Sequence, residues 1–231
     1  MALPFFYVEN LENDLVVLDE DTSKHVVQVL RMQKGEPILL TDGKGKKAEA
    51  RIADDNRKKC SVKVFLSATE PEKNNKVVIG ISLVKNASRF EWFLEKATEI
   101  GVYGIIPLLC ERTEKEKFRY DRMKNIVVSA MLQSQQSWLP QLHQPTDIKE
   151  VIKQSHYTQK FVAHCLPGQK QKLPHYTPIT EHSSIILIGP EGDFTEKEIE
   201  WALANKFQPV SLGATRLRTE TAGIVASALL V

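Results

Sequence analysis

Hydrophobic positions fall into two regimes along the chain. Up to about residue 70 they come in short runs, at 5–8, 15–18, 36–41 and 61–66, with a strict alternation at Ala48, Ala50 and Ile52. Short half-apolar runs broken by polar turns predict strands that bury one face, and a small β-barrel is their simplest assembly. Gly43-Lys44-Gly45 lies between two of these runs and reads as a hairpin turn. One helix interrupts the strands. It is expected to start near Thr22-Ser23 and to end before Gly35, with Val26, Val29 and Leu30 on one face. Residues 70–76, Glu-Pro-Glu-Lys-Asn-Asn-Lys, have linker composition. The expected division is a barrel over residues 1–70, a linker over 71–76 and a second domain over 77–231.

Beyond the linker, strands and helices alternate. The run at 77–84 is continuously apolar, as a strand buried on both faces of a parallel sheet must be. Ser88 followed by Glu91 predicts a capping box opening a helix with Phe90, Phe93, Leu94, Ala97 and Ile100 as its stripe and Gly101 at its end. A strand at 104–109 follows, then a long amphipathic helix (Met123, Ile126, Val127, Ala130, Met131), a short helix opening at Asp147 and a strand at 160–165. Thr195 and Glu198 form a second box, with Phe194 placed to staple against Ile199. The last helix begins near Thr219 and carries Ala222, Val225, Ala226, Leu229 and Leu230 on its apolar side.

Composition narrows the class without deciding it. A chain of 231 residues with 42% hydrophobic content buries a sizeable core in one or two domains. Lys plus Arg total 31 against 29 acidic residues, so any basic surface must come from local clustering. One cluster runs from Lys44 to Lys63, with eight basic residues against Glu49, Asp54 and Asp55; a charged edge that protects a hairpin is the competing reading. Three scattered cysteines and six histidines without ligand spacing indicate neither disulfides nor a metal site, which suits a reducing cytoplasm. No apolar run reaches membrane-spanning length, and Met1-Ala2-Leu3-Pro4-Phe5 is too short and uncharged for a signal peptide.

Two glycine-bearing loops carry the chemistry. Ile188-Gly189-Pro190-Glu191-Gly192-Asp193-Phe194 follows the apolar run 184–188, and Leu212-Gly213-Ala214-Thr215-Arg216-Leu217-Arg218-Thr219-Glu220-Thr221-Ala222 follows the run 209–212. Each therefore sits between a strand end and a helix, where open α/β sheets bind ligands. A phosphate cradle needs a row of free backbone N–H groups, but Pro190 donates nothing and Glu191 and Asp193 repel phosphate. A neutral or cationic ligand such as S-adenosylmethionine, with its sulfonium and amine, suits the first loop better; a plain turn before a helix is the alternative.

Together these loops resemble the I-G-P-E-G and L-G-x-x-x-L-R-x-E-T-A motifs of the RsmE family, bacterial 16S rRNA uridine-N3 methyltransferases of the SPOUT class. The resemblance extends to His25-Val26-Val27-Gln28-Val29-Leu30-Arg31 with Gly35, and to Lys96-Ala97-Thr98-Glu99-Ile100-Gly101-Val102 with Ile106-Pro107 and Arg112, so it spans residues 5–230. There are two departures. Leu132-Gln133-Ser134-Gln135-Gln136 stands where the family often has an E-Q-S-x-R-like patch, and Asp193 stands where the glycine is often doubled.

The resemblance implies an α/β fold in which a C-terminal SPOUT domain, a parallel sheet tied in a trefoil knot by the final helix, follows an N-terminal PUA-like RNA-binding β-barrel. It implies a cytoplasmic homodimer acting on the small ribosomal subunit, with no membrane and no metal. S-adenosylmethionine would be held by three loops through Leu166, Ile188, Gly189, Pro190, Glu191, Gly192, Leu212, Gly213, Leu217, Arg218, Thr221 and Ala222. Gly189, Gly192 and Gly213 would allow its close approach. Arg218 is the expected catalytic cation, with an ion pair to Glu220 or Glu191 as its competing role; Glu220 is a candidate proton acceptor, and water is another. His25, Arg31, Lys46, Lys47 and Arg112 are the expected RNA contacts. Two rivals stay open: a SPOUT enzyme for tRNA or 23S rRNA, and a catalytically silent RNA-binding or ribosome-assembly protein, which the altered 132–136 patch alone favours.

Overall fold

The computed structural model describes residues 3–114, 117–168, 170–173 and 182–231. The chain divides into two compact units, Met1–Glu72 with Met131–Leu139, and Lys73–Ala130 with Pro140–Val231.

In the first unit, β1 (Phe5–Tyr7), β2 (Leu15–Val17), β3 (Pro37–Thr41), β4 (Lys46–Asp54) and β5 (Ser61–Thr69) form one sheet in the order β1-β3-β4-β5-β2. All its pairings are antiparallel except β1 with β3. The alternation read in the sequence is the inward face of β4: Ala48, Ala50 and Ile52 are buried and pack with Ile38, Leu40 and Val62. Register shifts between Glu49 and Ala50 and between Ile52 and Asp54 sharpen the bend of this long strand pair. At the β3–β4 hairpin Gly45 takes φ 93°, and a Cβ there would fall 2.5 Å from the Trp138 ring. Met131–Leu139 thus straps this unit. Gly45 N–H donates to Ser137 O (3.0 Å), Leu139 N–H donates to Gly43 O (2.8 Å), and the Ser137 hydroxyl bonds the Glu70 carboxylate.

The expected helix differs. α1 (Glu20–Lys24) is capped by Asp19, which accepts from Thr22 N–H, and the chain then passes into a π-helical turn, His25–Val29. That turn adds a residue to each repeat and rotates the apolar stripe out of register. Val26 stays buried, whereas Val29 and Leu30 are 66% and 41% exposed, and Arg31 ends the segment in the left-handed region at φ 57°.

The second unit is a parallel sheet with helices. Its strands are β6 (Asn75–Ser82), β7 (Gly104–Leu109), β8 (Gln141–Leu142), β9 (Thr146–Asp147), β10 (Gln159–Ala163), β11 (Gln171–Lys172), β12 (His182–Ile188) and β13 (Gln208–Ser211), in the order β11-β13-β10-β12-β6-β7-β8 with β9 also on β7. Every pairing is parallel. The helices are α2 (Ala87–Ile100), α3 (Tyr120–Gln133), whose last residues belong to the strap of the first unit, α4 (Ile148–Gln154), α5 (Glu196–Ala204) and α6 (Thr219–Leu230). Gly101 ends α2 at φ 97°, Asp147 caps α4, and Thr195 with Glu198 closes the box on α5. The cap of α2 is Asn86 rather than Ser88: its side chain accepts from Ser88 N–H, and Glu91 is engaged by Arg122. After β13, α6 returns to pack on α2, β6 and β12. Gly223 permits that approach, since a Cβ there would lie 2.6 Å from Phe93 and 2.8 Å from Ile81.

Candidate functional site

Because β10, β12 and β13 are parallel neighbours, the loops that leave their carboxyl ends emerge side by side. Those loops and the first turn of α6 enclose a pocket of about 710 Å³. Of the residues expected to bind a cofactor, Ile188, Gly189, Pro190, Glu191, Leu212, Gly213, Leu217, Arg218 and Ala222 line it. Leu166, Gly192 and Thr221 do not; Leu166 packs on the core, and Gly192 offers its carbonyl to Arg112. The pocket also takes in Cys165, which stands beside Leu166 on one of the three loops expected to hold the cofactor, and His164, Lys170, Asp193 and Arg216, which the sequence did not single out as contacts. Arg216 and Asp193 lie inside the two motifs; His164 and Lys170 have no spacing that marks them.

Side-chain and backbone bonds fix the loops to one another. Thr219 Oγ1 donates to Gly189 O (3.0 Å), which pins the start of α6 to the loop after β12. Asp193 adopts φ 63°, where an aspartate is tolerated better than most side chains. Its Oδ2 accepts from Cys165 N–H (2.7 Å) and its Oδ1 from Phe194 N–H (2.8 Å), so the residue in the place of a second glycine ties two loops together. Glu191 Oε1 accepts from Lys85 N–H (3.1 Å). Gly189 eases a close approach: a Cβ there would stand 3.1 Å from Phe194 N, tighter than most side chains come. Gly213 has an ordinary φ and open space where a Cβ would be, so the reason for a glycine there is not backbone strain.

Burial holds the His164 imidazole below its usual pKa, and the positive charge of Lys170 adds to that, with Asp193 opposing. Among the described residues, His164 Nδ1 is buried without a hydrogen-bond partner. Burial also pushes the Cys110 thiol up to about 12 and that of Cys60 up to about 11, which leaves both unreactive; Cys165, at the pocket, is exposed.

The two expected catalytic groups separate. Arg218 lines the pocket, exposed at the N-terminus of α6. Glu220 is buried outside the lining, with Oε1 3.7 Å from Arg89 Nε, so the ion pair considered for Arg218 goes to a different arginine. The expected RNA contacts are similarly divided. His25 and Arg31 are exposed, His25 with its ring edge-on to Phe6. Lys46 Nζ donates to Leu11 O (2.7 Å), Lys47 Nζ pairs with Glu70 (2.7 Å), and the Arg112 guanidinium donates to Gly192 O (2.7 Å), bracing the pocket loop from behind. No group of three or more His, Cys, Asp or Glu able to hold a metal is found among the described residues.

The RNA methyltransferase domain family matches residues 71–231, and the RNA methyltransferase PUA domain family matches residues 18–65. The ribosomal RNA small subunit methyltransferase E of Synechocystis is 30% identical over 230 residues, which cover 95% of this chain and 74% of that protein. A probable rRNA-methyltransferase from Porphyromonas gingivalis superposes with a TM-score of 0.89 at 36% identity, covering 97% of this chain and 95% of that one. The small subunit methyltransferase E of Neisseria gonorrhoeae, solved bound to S-adenosyl methionine, gives a TM-score of 0.86 at 28% identity over 98% and 96% of the two chains. A parallel-sheet α/β unit after a PUA-like unit is the architecture of the SPOUT rRNA methyltransferases. With both units matched and the correspondence running nearly end to end, the chain belongs to the ribosomal RNA small subunit methyltransferase E family of RNA methyltransferases.

Proposed function

We infer that this chain is an S-adenosylmethionine-dependent enzyme that methylates the RNA of the small ribosomal subunit, at N3 of a uridine. The observation that carries this reading is the pocket at the ends of β10, β12 and β13, in a chain that corresponds almost end to end with a relative solved with that cofactor. The residues fit the group. The volume suits a cofactor of this size, aliphatic Ile188, Leu212 and Leu217 supply walls, Ala222 leaves room at the helix, and the Glu191 and Asp193 carboxylates suit a sulfonium.

When bound, S-adenosylmethionine supplies an electrophilic methyl group. For the base to accept it, the N3 proton must leave and the negative charge spread onto the carbonyl oxygens of the uracil. Arg218 lines the pocket with no hydrogen bond or ion pair of its side chain among the described residues, so its planar guanidinium is available to engage such an oxygen and favour the anion. Glu220 faces Arg89, and water is the proton acceptor we assign. The target base is expected to be splayed out of its stack to reach this pocket.

The same reading makes residues 1–70 the RNA-binding barrel, 71–76 a linker and 77–231 the catalytic domain, with the final helix threaded as a knot. It places the enzyme in the cytoplasm; no described helix is long and apolar enough to cross a membrane. It makes the active form a homodimer, and Ile224, Val225 and Leu229 on α6 are only half-buried in this chain. The test is methylation of undermodified small subunits with labelled cofactor, followed by nucleoside analysis. Label in N3-methyluridine of the small-subunit RNA is the expected result; label confined to tRNA or the large subunit, or none, would overturn it.

A further inference from the structure

Among the described residues, five charged side chains line the pocket: Lys170, Glu191, Asp193, Arg216 and Arg218. Their charges are unequally satisfied. Both carboxylates already accept backbone N–H groups, Glu191 from Lys85 and Asp193 from Cys165 and Phe194. None of the three cations has a hydrogen bond or ion pair among the described residues. A cofactor that carries a sulfonium adds positive charge, and its single carboxylate can answer only one of the three. The pocket therefore keeps cationic charge that the cofactor does not neutralise.

We propose that Lys170 and Arg216 form a phosphate clamp that holds the RNA backbone next to the base engaged by Arg218. The proposal rests on the reading of this pocket as the site of methyl transfer to RNA. An RNA substrate brings phosphates wherever its base enters, and they are the strongest anions it has. Lys170 and Arg216 come from different segments and meet through the sheet. Lys170 immediately precedes β11, the edge strand, whose Gln171 pairs with Val210 of β13, and Arg216 lies in the loop that leaves β13. Both therefore lie at the β11–β13 edge of the sheet. The 213–216 loop is exposed throughout, so its cation costs little to present. An ammonium supplies a point charge and a guanidinium a two-point fork, and both suit phosphate oxygens.

The experiment measures single-turnover methylation of undermodified small subunits at saturating cofactor, over a range of salt concentrations. The variants are Arg216→Ala, Lys170→Ala, the double variant and Arg216→Lys, with cofactor affinity followed by calorimetry. The clamp predicts an apparent KM for the subunit raised about tenfold by each alanine, since a lost charge-assisted bond has that order of effect. The slope of log affinity against log salt should fall by about 0.7 per lost phosphate contact. The maximal rate and the affinity for S-adenosylmethionine should stay within about threefold, and Arg216→Lys should keep the salt slope because the charge is kept. Weakened cofactor binding with an unchanged KM would assign the cations to the cofactor's carboxylate and overturn the clamp. So would a double variant with unaltered KM and slope. If the unsubstituted enzyme labels no small-subunit RNA, the functional reading fails instead, and equilibrium binding of the subunit to the same variants still decides the clamp.

Discussion

Arg218 and Glu220, two residues apart in one motif, face different surroundings, and their substitutions should separate accordingly. Arg218→Ala is expected to keep cofactor binding within about tenfold yet lower methyl transfer by about 10²–10³, the usual cost of deleting one preorganised donor. Arg218→Lys should rescue poorly, because an ammonium lacks the planar fork. The deficit should shrink as pH rises, since alkaline solution removes the N3 proton unaided; single-turnover rates across pH check this, and cofactor binding lost at an unchanged bound-state rate would make Arg218 a cofactor ligand. Asp193 gives a second test at this scale. Asp193→Ala leaves a left-handed backbone without the carboxylate that ties Cys165 N–H to the loop, and cofactor affinity should fall about tenfold by calorimetry, whereas Asp193→Asn, which tolerates that conformation, should lose less. Gly213→Val should leave the fold intact, because its φ is ordinary and its surroundings are open, while the added branch fills cofactor space and abolishes binding.

Packing at the element scale makes α6 the sensitive helix. Its buried side includes Gly223, and the approach to α2 and β6 runs over that missing Cβ. Gly223→Ala offers about 1 kcal/mol of helix propensity, but contacts of 2.6 Å with Phe93 and 2.8 Å with Ile81 require side chains in a packed core to shift, a strain of about 1–3 kcal/mol. A lowered Tm is the expected result. Ala228→Ser, at an exposed position of the same helix, should change stability by no more than about 0.5 kcal/mol. An unchanged or higher Tm for Gly223→Ala would show that the α2–α6 contact is looser than its geometry. Because Thr219 on α6 also bonds Gly189 O, the strain should reach the pocket as weaker cofactor binding.

For the whole molecule, acid should act in two windows. Burial lowers the folded-state pKa of His143 and His164, so the unfolded chain binds more protons just below the ordinary histidine value. Stability from these groups is present above pH of about 6.5 and is lost as pH falls through that value towards their folded pKa. Glu70, held low by Lys47 and Ser137, and Glu91, held low by Arg122, act later, with stability lost only as pH falls below about 4.5. Thermal melts from pH 7.5 downward should show a first decline that His143→Gln with His164→Gln diminishes, and a second that these variants leave in place. Ultracentrifugation at micromolar concentration should find a dimer; an active monomer would contradict that assembly.

Local periodicity and turn chemistry were enough for most elements. Continuous apolar runs became β6 and β7 of a parallel sheet, alternation became the inward face of β4, and Gly101, Asp147 and the Thr195–Glu198 box stand where spacing put them, because each depends on residues within about one turn of itself. The two loop motifs likewise marked one pocket from sequence order alone. What spacing could not reveal is which distant groups meet. Lys46, Lys47 and Arg112 look like free cations in the sequence, but each finds its acceptor far along the chain, at Leu11, Glu70 and Gly192. Lys170 and His164 enter the pocket only because β10 and β11 both pair with β13. The Asp19 cap and the π-turn after it expose Val29 and Leu30 against a helical pattern that looked continuous. The strap Met131–Leu139 joins the first unit through bonds that span more than ninety residues, as Thr41 Oγ1 to Ser137 O does. Such pairings are set by strand order and through-space contact, which a one-dimensional pattern does not encode.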